Sequence, residues 1–184
     1  MPVAAGTVLE LHRWPVKSLA GEPVDRLRVD GRGVGGDRTH AVIHVHKGQP
    51  RRLTAREAPR LLAWRASYAG ADVRPDEPPA PVLTAPDGRS FGWDDEALPA
   101  ALAADLGREV TLRRDVAGQQ DLRDSVLITV QATLDALEAE MGQPVDLRRF
   151  RTNVHVELDA EPFAEEGWEG RRVRIGDAEL EVLH

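Results

Sequence analysis

Thr7-Val8-Leu9-Glu10-Leu11-His12-Arg13-Trp14 partly alternates apolar and polar residues, and Val24 to Val29 and Thr39 to Val45 do the same after Gly-rich turns. A period of two sends one set of side chains to a core face and the other to solvent, so these segments read as short strands. Short strands spaced by turns favour a barrel or a sandwich. Leu61 to Tyr68 is a further strand candidate, and the Pro, Gly and Asp content of Gly70 to Pro86 marks a loop. Leu98 to Leu106 is expected to be a short helix, with Asp95 near its start and Gly107 placed to end it, and Glu109 to Arg113 a strand.

Asp115 to Asp121 is polar and reads as a linker, and Ser125 to Thr129 as a buried strand leading into a second helix. Along that helix Val130, Leu134, Leu137 and Met141 fall on one face, a core face by default, and Gly142 supplies the stop. Val154 to Leu158, Arg172 to Ile175 and Glu179 to Leu183 read as strands around turns at Glu166-Gly167 and Gly176-Asp177.

Composition bounds the function. The 184 residues, 41% of them hydrophobic, suffice for one core or two small lobes. A net charge of −7 argues against a general phosphate-neutralising surface, so no nucleic-acid partner is expected and any anion site must be local. No apolar run approaches the roughly 18 residues of a membrane span, and Met1 to Gly6 does not look like a signal peptide, so a cytoplasmic protein without a membrane partner is expected. The Arg, Ala, Gly and Pro content, with only two lysines, suggests a GC-rich bacterial gene. Cysteine is absent, which removes disulfides, zinc–thiolate sites and thiolate nucleophiles from this chain.

Three segments carry candidate chemistry. Arg13-Trp14-Pro15-Val16-Lys17-Ser18 sets an ammonium and a hydroxyl after a Pro-stiffened strand end, where both can meet an anion or simply flank a turn. Gly33-Val34-Gly35-Gly36-Asp37-Arg38 offers backbone N–H groups and a guanidinium to an oxyanion, or is a plain hairpin turn. In Asp146-Leu147-Arg148-Arg149-Phe150-Arg151-Thr152-Asn153, extended chain would put Arg149 and Arg151 on one face as a phosphate clamp. Surface pairing with Glu138 or Glu140 is the alternative. His44 and His46, two apart on a strand with His40 and His12 as possible neighbours, could ligate a metal or line a half-exposed face. Glu165 and Glu166 beside Trp168 read as turn residues.

These blocks, with Leu53-Thr54-Ala55-Arg56, Asp124 to Leu134, Pro162 to Trp168 and Val173-Arg174-Ile175-Gly176, occur in an order that resembles the MOSC family, the molybdenum-cofactor-sulfurase C-terminal type, together with the β-barrel that precedes it. The resemblance covers most of Gly6 to Leu183. It implies a predominantly β, α+β fold: a MOSC N-terminal β-barrel over 1–114, then an incomplete MOSC β-barrel over 115–184. It further implies molybdenum cofactor (molybdopterin) as the ligand and reduction of N-hydroxylated compounds or sulfur transfer to the cofactor as the activity. A small-molecule substrate and an electron-donor protein would be the partners, and the family also carries an association with pyridoxal phosphate. By position, Lys17, Ser18 and Arg38 match barrel-side cofactor contacts and Arg149, Arg151 and Asn153 match MOSC-side contacts, and Lys17, Arg38, Arg149 and Arg151 are expected in one cleft. Thr152 stands where the family usually has Pro, and Val130 where Ser or Thr is common. The family's cysteine is expected just after a strand like Leu180 to Leu183, where this sequence reaches His184. The chain is therefore expected to be a truncated form, or a cysteine-less relative acting as a non-catalytic module for molybdopterin or another phosphorylated anion.

Overall fold

The computed structural model describes residues 5–70, 72–115 and 126–183. It is predominantly β, with two α-helices, and divides into two compact units, 12–125 and 1–11 with 126–184. The first strand, β1 (Gly6–Arg13), contributes its last two residues to the former unit and the rest to the latter.

In the 12–125 unit, β2 (Glu22–Pro23) pairs antiparallel with His12 and Arg13, and β3 (Val29–Asp30) pairs with β4 (Gly33–Val34). A three-stranded sheet follows, with β5 (His40–His46) between β6 (Gln49–Arg52) and the later strand Thr111–Arg114, and a meander is built from β7 (Arg65–Ser67), β8 (Val82–Thr84) and β9 (Ser90–Gly92). Helix α1 (Ala97–Leu106) and β10 (Thr111–Arg114) complete the unit. Its sheets are open ladders among the described residues. Val16, Val42, Leu53, Leu61, Trp64 and Leu83 form its core with the buried face of α1, Leu98 and Leu102. The helix starts where the Asp95 carboxylate accepts the Ala97 N–H (2.8 Å) and stops at Gly107, which takes the left-handed conformation. Asp105 anchors it by accepting the Trp64 indole N–H (2.8 Å) and pairing with Arg60.

In the other unit β11 (Ile128–Val130), α2 (Gln131–Met141) and β12 (Val154–Leu158) form a parallel β-α-β unit, and β12 also pairs antiparallel with β1. The hairpin β13 (Arg172–Ile175) and β14 (Ala178–Glu181) turns at Gly176.

Several sequence expectations need correction. Val24 to Arg28 is not strand: Pro23 has no N–H to donate, and the alternation there gives one-sided coverage without a ladder partner. Leu61 to Ala63 belongs to a 3-10 turn, Pro59–Ala63, because Pro59 is preset for a helical start and the buried Leu61 and Trp64 recur at a spacing of three. The loop expected from Gly70 to Pro86 contains β8, three residues too short to display a period. Along α2, Leu134 is buried but Met141 is 47% exposed, so the apolar stripe leaves the core before the helix ends. The linker expected over Asp115 to Asp121 lies outside the described residues beyond Asp115, as does Ser125.

The Gly33 to Arg38 turn is filled by the chain itself. A Cβ on Gly35 would lie 2.7 Å from the Val73 carbonyl oxygen. On Gly36, at φ +74°, it would lie 2.7 Å from both Tyr68 and Val73, whereas on Gly48, at φ +76°, it would meet nothing within 4 Å. Gly36→Ala is expected to cost roughly 2–4 kcal/mol, left-handed strain plus overpacking, and Gly48→Ala only the strain, about 1–2 kcal/mol. Urea midpoints for the two variants check this; equal losses would contradict the packing account.

Candidate functional site

The segments expected to touch a ligand on the barrel side are brought together within the 12–125 unit. The Arg38 N–H donates to the Trp14 carbonyl (2.6 Å) and the Lys17 N–H to the His40 carbonyl (2.8 Å), with Val16 and His40 joined in a parallel bridge. Asp37, wholly buried, ties the same two segments: one carboxylate oxygen accepts the Trp14 N–H (2.7 Å) and the other accepts from the Arg38 guanidinium. Arg38 and Ser18 are buried as well, while Lys17 is half-buried in a turn.

Beside them lies a second buried pair that sequence reasoning did not find. The Arg13 guanidinium donates twice to one Glu22 oxygen (2.9 and 2.7 Å), stacks over Tyr68 (4.8 Å to the ring centre), and Glu22 accepts the Tyr68 backbone N–H (3.1 Å). The Tyr68 hydroxyl donates to the Gly36 carbonyl (2.8 Å) and meets the Thr39 hydroxyl, which reaches His40 Nδ1 (2.9 Å). Burial pushes the Tyr68 phenol well above its ordinary range. Glu22 and Tyr68 are far apart in sequence and sit in no motif, so only the fold could reveal them.

The MOSC-side candidates lie in the other unit. Arg149 closes a 3-10 turn, Leu147–Arg149, whose capping Asp146 accepts the Arg148 N–H (2.9 Å) and pairs with the Arg148 side chain. That pairing holds the Asp146 carboxyl below the usual carboxylate range. This local cap replaces the extended chain expected here, so Arg149 and Arg151 do not share a face by strand alternation. Arg149 is exposed and Arg151 half-buried. Asn153 is fully buried and accepts the Leu127 N–H through its side-chain oxygen (3.1 Å) while its own N–H donates to the Leu127 carbonyl (2.8 Å), which docks the start of β12 beside the chain entering β11. Thr152, where Pro is usual in the family, uses its hydroxyl: it donates to the Leu127 carbonyl (3.1 Å) and accepts from Thr129 (3.1 Å).

Three of the six candidates have strained backbone. Ser18 (φ 71°), Arg38 (φ 50°) and Arg151 (φ 55°) are among the few non-glycine residues at positive φ in the described chain. Such conformations cost of order 1–3 kcal/mol each and concentrate at ligand-gripping positions.

The histidine pair of β5 stays a pair. The His44 and His46 rings are 6.1 Å apart and His44 Nε2 is 3.6 Å from Glu57; among the described residues no three His, Cys, Asp or Glu side chains gather closely enough to hold a metal ion. No helix is long and apolar enough to cross a membrane among the described residues.

The protein is thus predominantly β in two units, and each unit carries candidate residues on or beside turns, with left-handed backbone at Ser18, Arg38 and Arg151. The MOSC N-terminal beta barrel domain family matches residues 5–97 and the MOSC domain family matches residues 107–184, and the chain belongs to the MOSC family. No curated protein matches it.

His40 gives this site a pH signature. It is fully buried, packed edge-on against Trp93 (4.5 Å between ring centres), and burial first, then the Arg114 charge, lowers its pKa from 6.5 to about 4. The folded state therefore holds the neutral ring, and its contribution is complete above about pH 6.5 and lost as pH falls toward 4, up to about 3 kcal/mol. Urea titrations from pH 7 to 4 should show this decline in the wild type and a shallower one in His40→Gln. Equal slopes would contradict it.

Proposed function

We propose that this chain binds the phosphate-bearing pterin of molybdenum cofactor, with Lys17, Ser18 and Arg38 as one set of donors and Arg149, Arg151 and Asn153 as another. The observation that carries the reading is the strained backbone at Ser18, Arg38 and Arg151, half of the candidate residues, in a family associated with this cofactor. The donors differ in what they can offer. Lys17, Arg149 and Arg151 are at least partly accessible and suit a phosphate, whereas Ser18, Arg38 and Asn153 are buried and act mainly by fixing the turns.

The residues fit the anionic end of the cofactor and not its metal. When bound, the cofactor supplies a molybdenum centre on a pterin dithiolene, for which the protein's matching ligand is a thiolate, and this sequence has no cysteine. Binding of the pterin phosphate without a protein–metal bond is therefore the function we infer for this chain. Reduction of N-hydroxylated compounds or sulfur transfer would require a soft ligand supplied from outside it.

The test is to purify the 184-residue chain from a host that makes molybdenum cofactor, then measure oxidised-pterin fluorescence and molybdenum on one preparation. Pterin is expected above a control protein, with molybdenum well below stoichiometric. Lys17→Ala and Arg149→Ala should each lower pterin affinity by roughly tenfold to a hundredfold, the loss of a charge-assisted hydrogen bond. No pterin above the control, or equal retention by both variants, would overturn the proposal.

A further inference from the structure

A cleft of about 430 Å³ lies within the unit formed by 1–11 and 126–184, and none of the six candidate cofactor contacts lines it. One wall is the sheet: Gly6 and Val8 of β1 stand opposite Leu158 and Val156 of β12 and so share a face with them, and Ile128 of β11 joins the lining. The other wall is Arg171 to Gly176, that is β13 and the glycine of its turn, with Trp168.

The hairpin register sorts its charges. Arg172 stands opposite Glu181 and Arg174 opposite Glu179, and Arg172 donates to Glu179 (2.9 Å), so these four charged residues share one face of the hairpin. Val173, Ile175, Ala178 and Leu180 alternate onto the other face and are half-buried. The Val182 N–H donates to the Arg171 carbonyl (2.9 Å), which extends the register by one pair and puts Arg171 at the end of the apolar face. Arg171 makes no ion pair or side-chain hydrogen bond among the described residues, and no Asp or Glu lines the cleft. Arg172, paired with Glu179, and Arg174 line the cleft as well, so it is a partly apolar space edged by three guanidiniums, the composition of a small-molecule site for an anion, and its volume lies in the range of roughly 300–1,000 Å³ typical of such sites.

We propose that this cleft binds a small amphipathic anion, an aliphatic or aromatic body carrying one carboxylate or similar oxyanion, with the body between Val8, Val156 and Ile175 and the anion on Arg171. Net charge of the whole chain is −7, so attraction of such an anion must come from these local arginines, of which Arg171 ends the apolar face, and not from the general field.

The test uses octanoate and octan-1-ol as probes on the full chain, followed by amide chemical shifts at a concentration where sedimentation reports a monomer. Octanoate is expected to shift Thr7, Val8, Val173 and Ile175 saturably at one site. Arg171→Gln should weaken octanoate about tenfold or more and leave octanol unchanged, and Arg171→Lys should restore part of the loss. Ile175→Trp, which fills the cleft, should abolish both. If either variant fails to fold, the wild-type shift map and the octanoate-to-octanol affinity ratio decide alone. Shifts elsewhere, equal affinity for the two probes, or unchanged octanoate binding in a folded Arg171→Gln would overturn the proposal. So would a dimer occupying the cleft, detected as octanoate binding that competes with self-association.

Discussion

Asp37 carries a charge at zero solvent exposure, a position that would cost several kcal/mol if its oxygens were not satisfied. It meets that cost by accepting from the Trp14 backbone on one side and the Arg38 guanidinium on the other. Those two segments carry Lys17, Ser18 and Arg38, so this buried carboxylate, together with the Arg38–Trp14 and Lys17–His40 backbone bonds, places the proposed barrel-side donors. The neighbouring Arg13–Glu22 pair has the same logic, with Glu22 also holding the Tyr68 backbone and Tyr68 closing over Gly36. Breaking one partner in either pair would leave the other charge buried and alone, which is the costly outcome.

Strain and burial together sort the candidate residues into two kinds. Left-handed backbone at Ser18 and Arg38 persists because the surrounding bonds over-determine it: the Arg38 N–H is held by the Trp14 carbonyl and its side chain by Asp37. At the other set, a capped 3-10 turn and the buried Asn153 amide flank Arg151 in the same conformation. In both places buried polar groups shape a turn beside a more accessible cation, half-buried Lys17 or exposed Arg149. The cleft beside β13 is of a different kind, partly apolar volume edged by arginines.

Much of this was legible in the sequence, and the parts that were not have physical reasons. Period-two segments such as Thr7 to Trp14 and Thr39 to Val45 gave their strands directly, and Gly107 and Gly142 marked both helix ends because a left-handed cap favours glycine. Pro59 pulled Leu61 into a 3-10 turn that a strand pattern could not anticipate, and β8 was hidden in Pro-rich chain. The glycines at 33–36 read equally as an anion cradle or a tight turn, and Tyr68, Val73 and Pro75 occupy the space a ligand would need. The partners of Asp37 and Glu22 depend on contacts between residues distant in sequence, as does the cleft lining, so no local pattern encodes them.

The central claim is that the buried Asp37 carboxylate is a principal tie between the Trp14 and Arg38 segments, beside their backbone hydrogen bonds, and amide hydrogen exchange on Asp37→Asn measures it residue by residue. The account predicts that protection of the Trp14 and Arg38 amides falls together, and by more than protection of Leu83 and Phe91 in the β7–β9 meander, whose core packing Asp37 does not touch. Unchanged protection at Trp14 and Arg38, or a uniform loss across the unit, would contradict it.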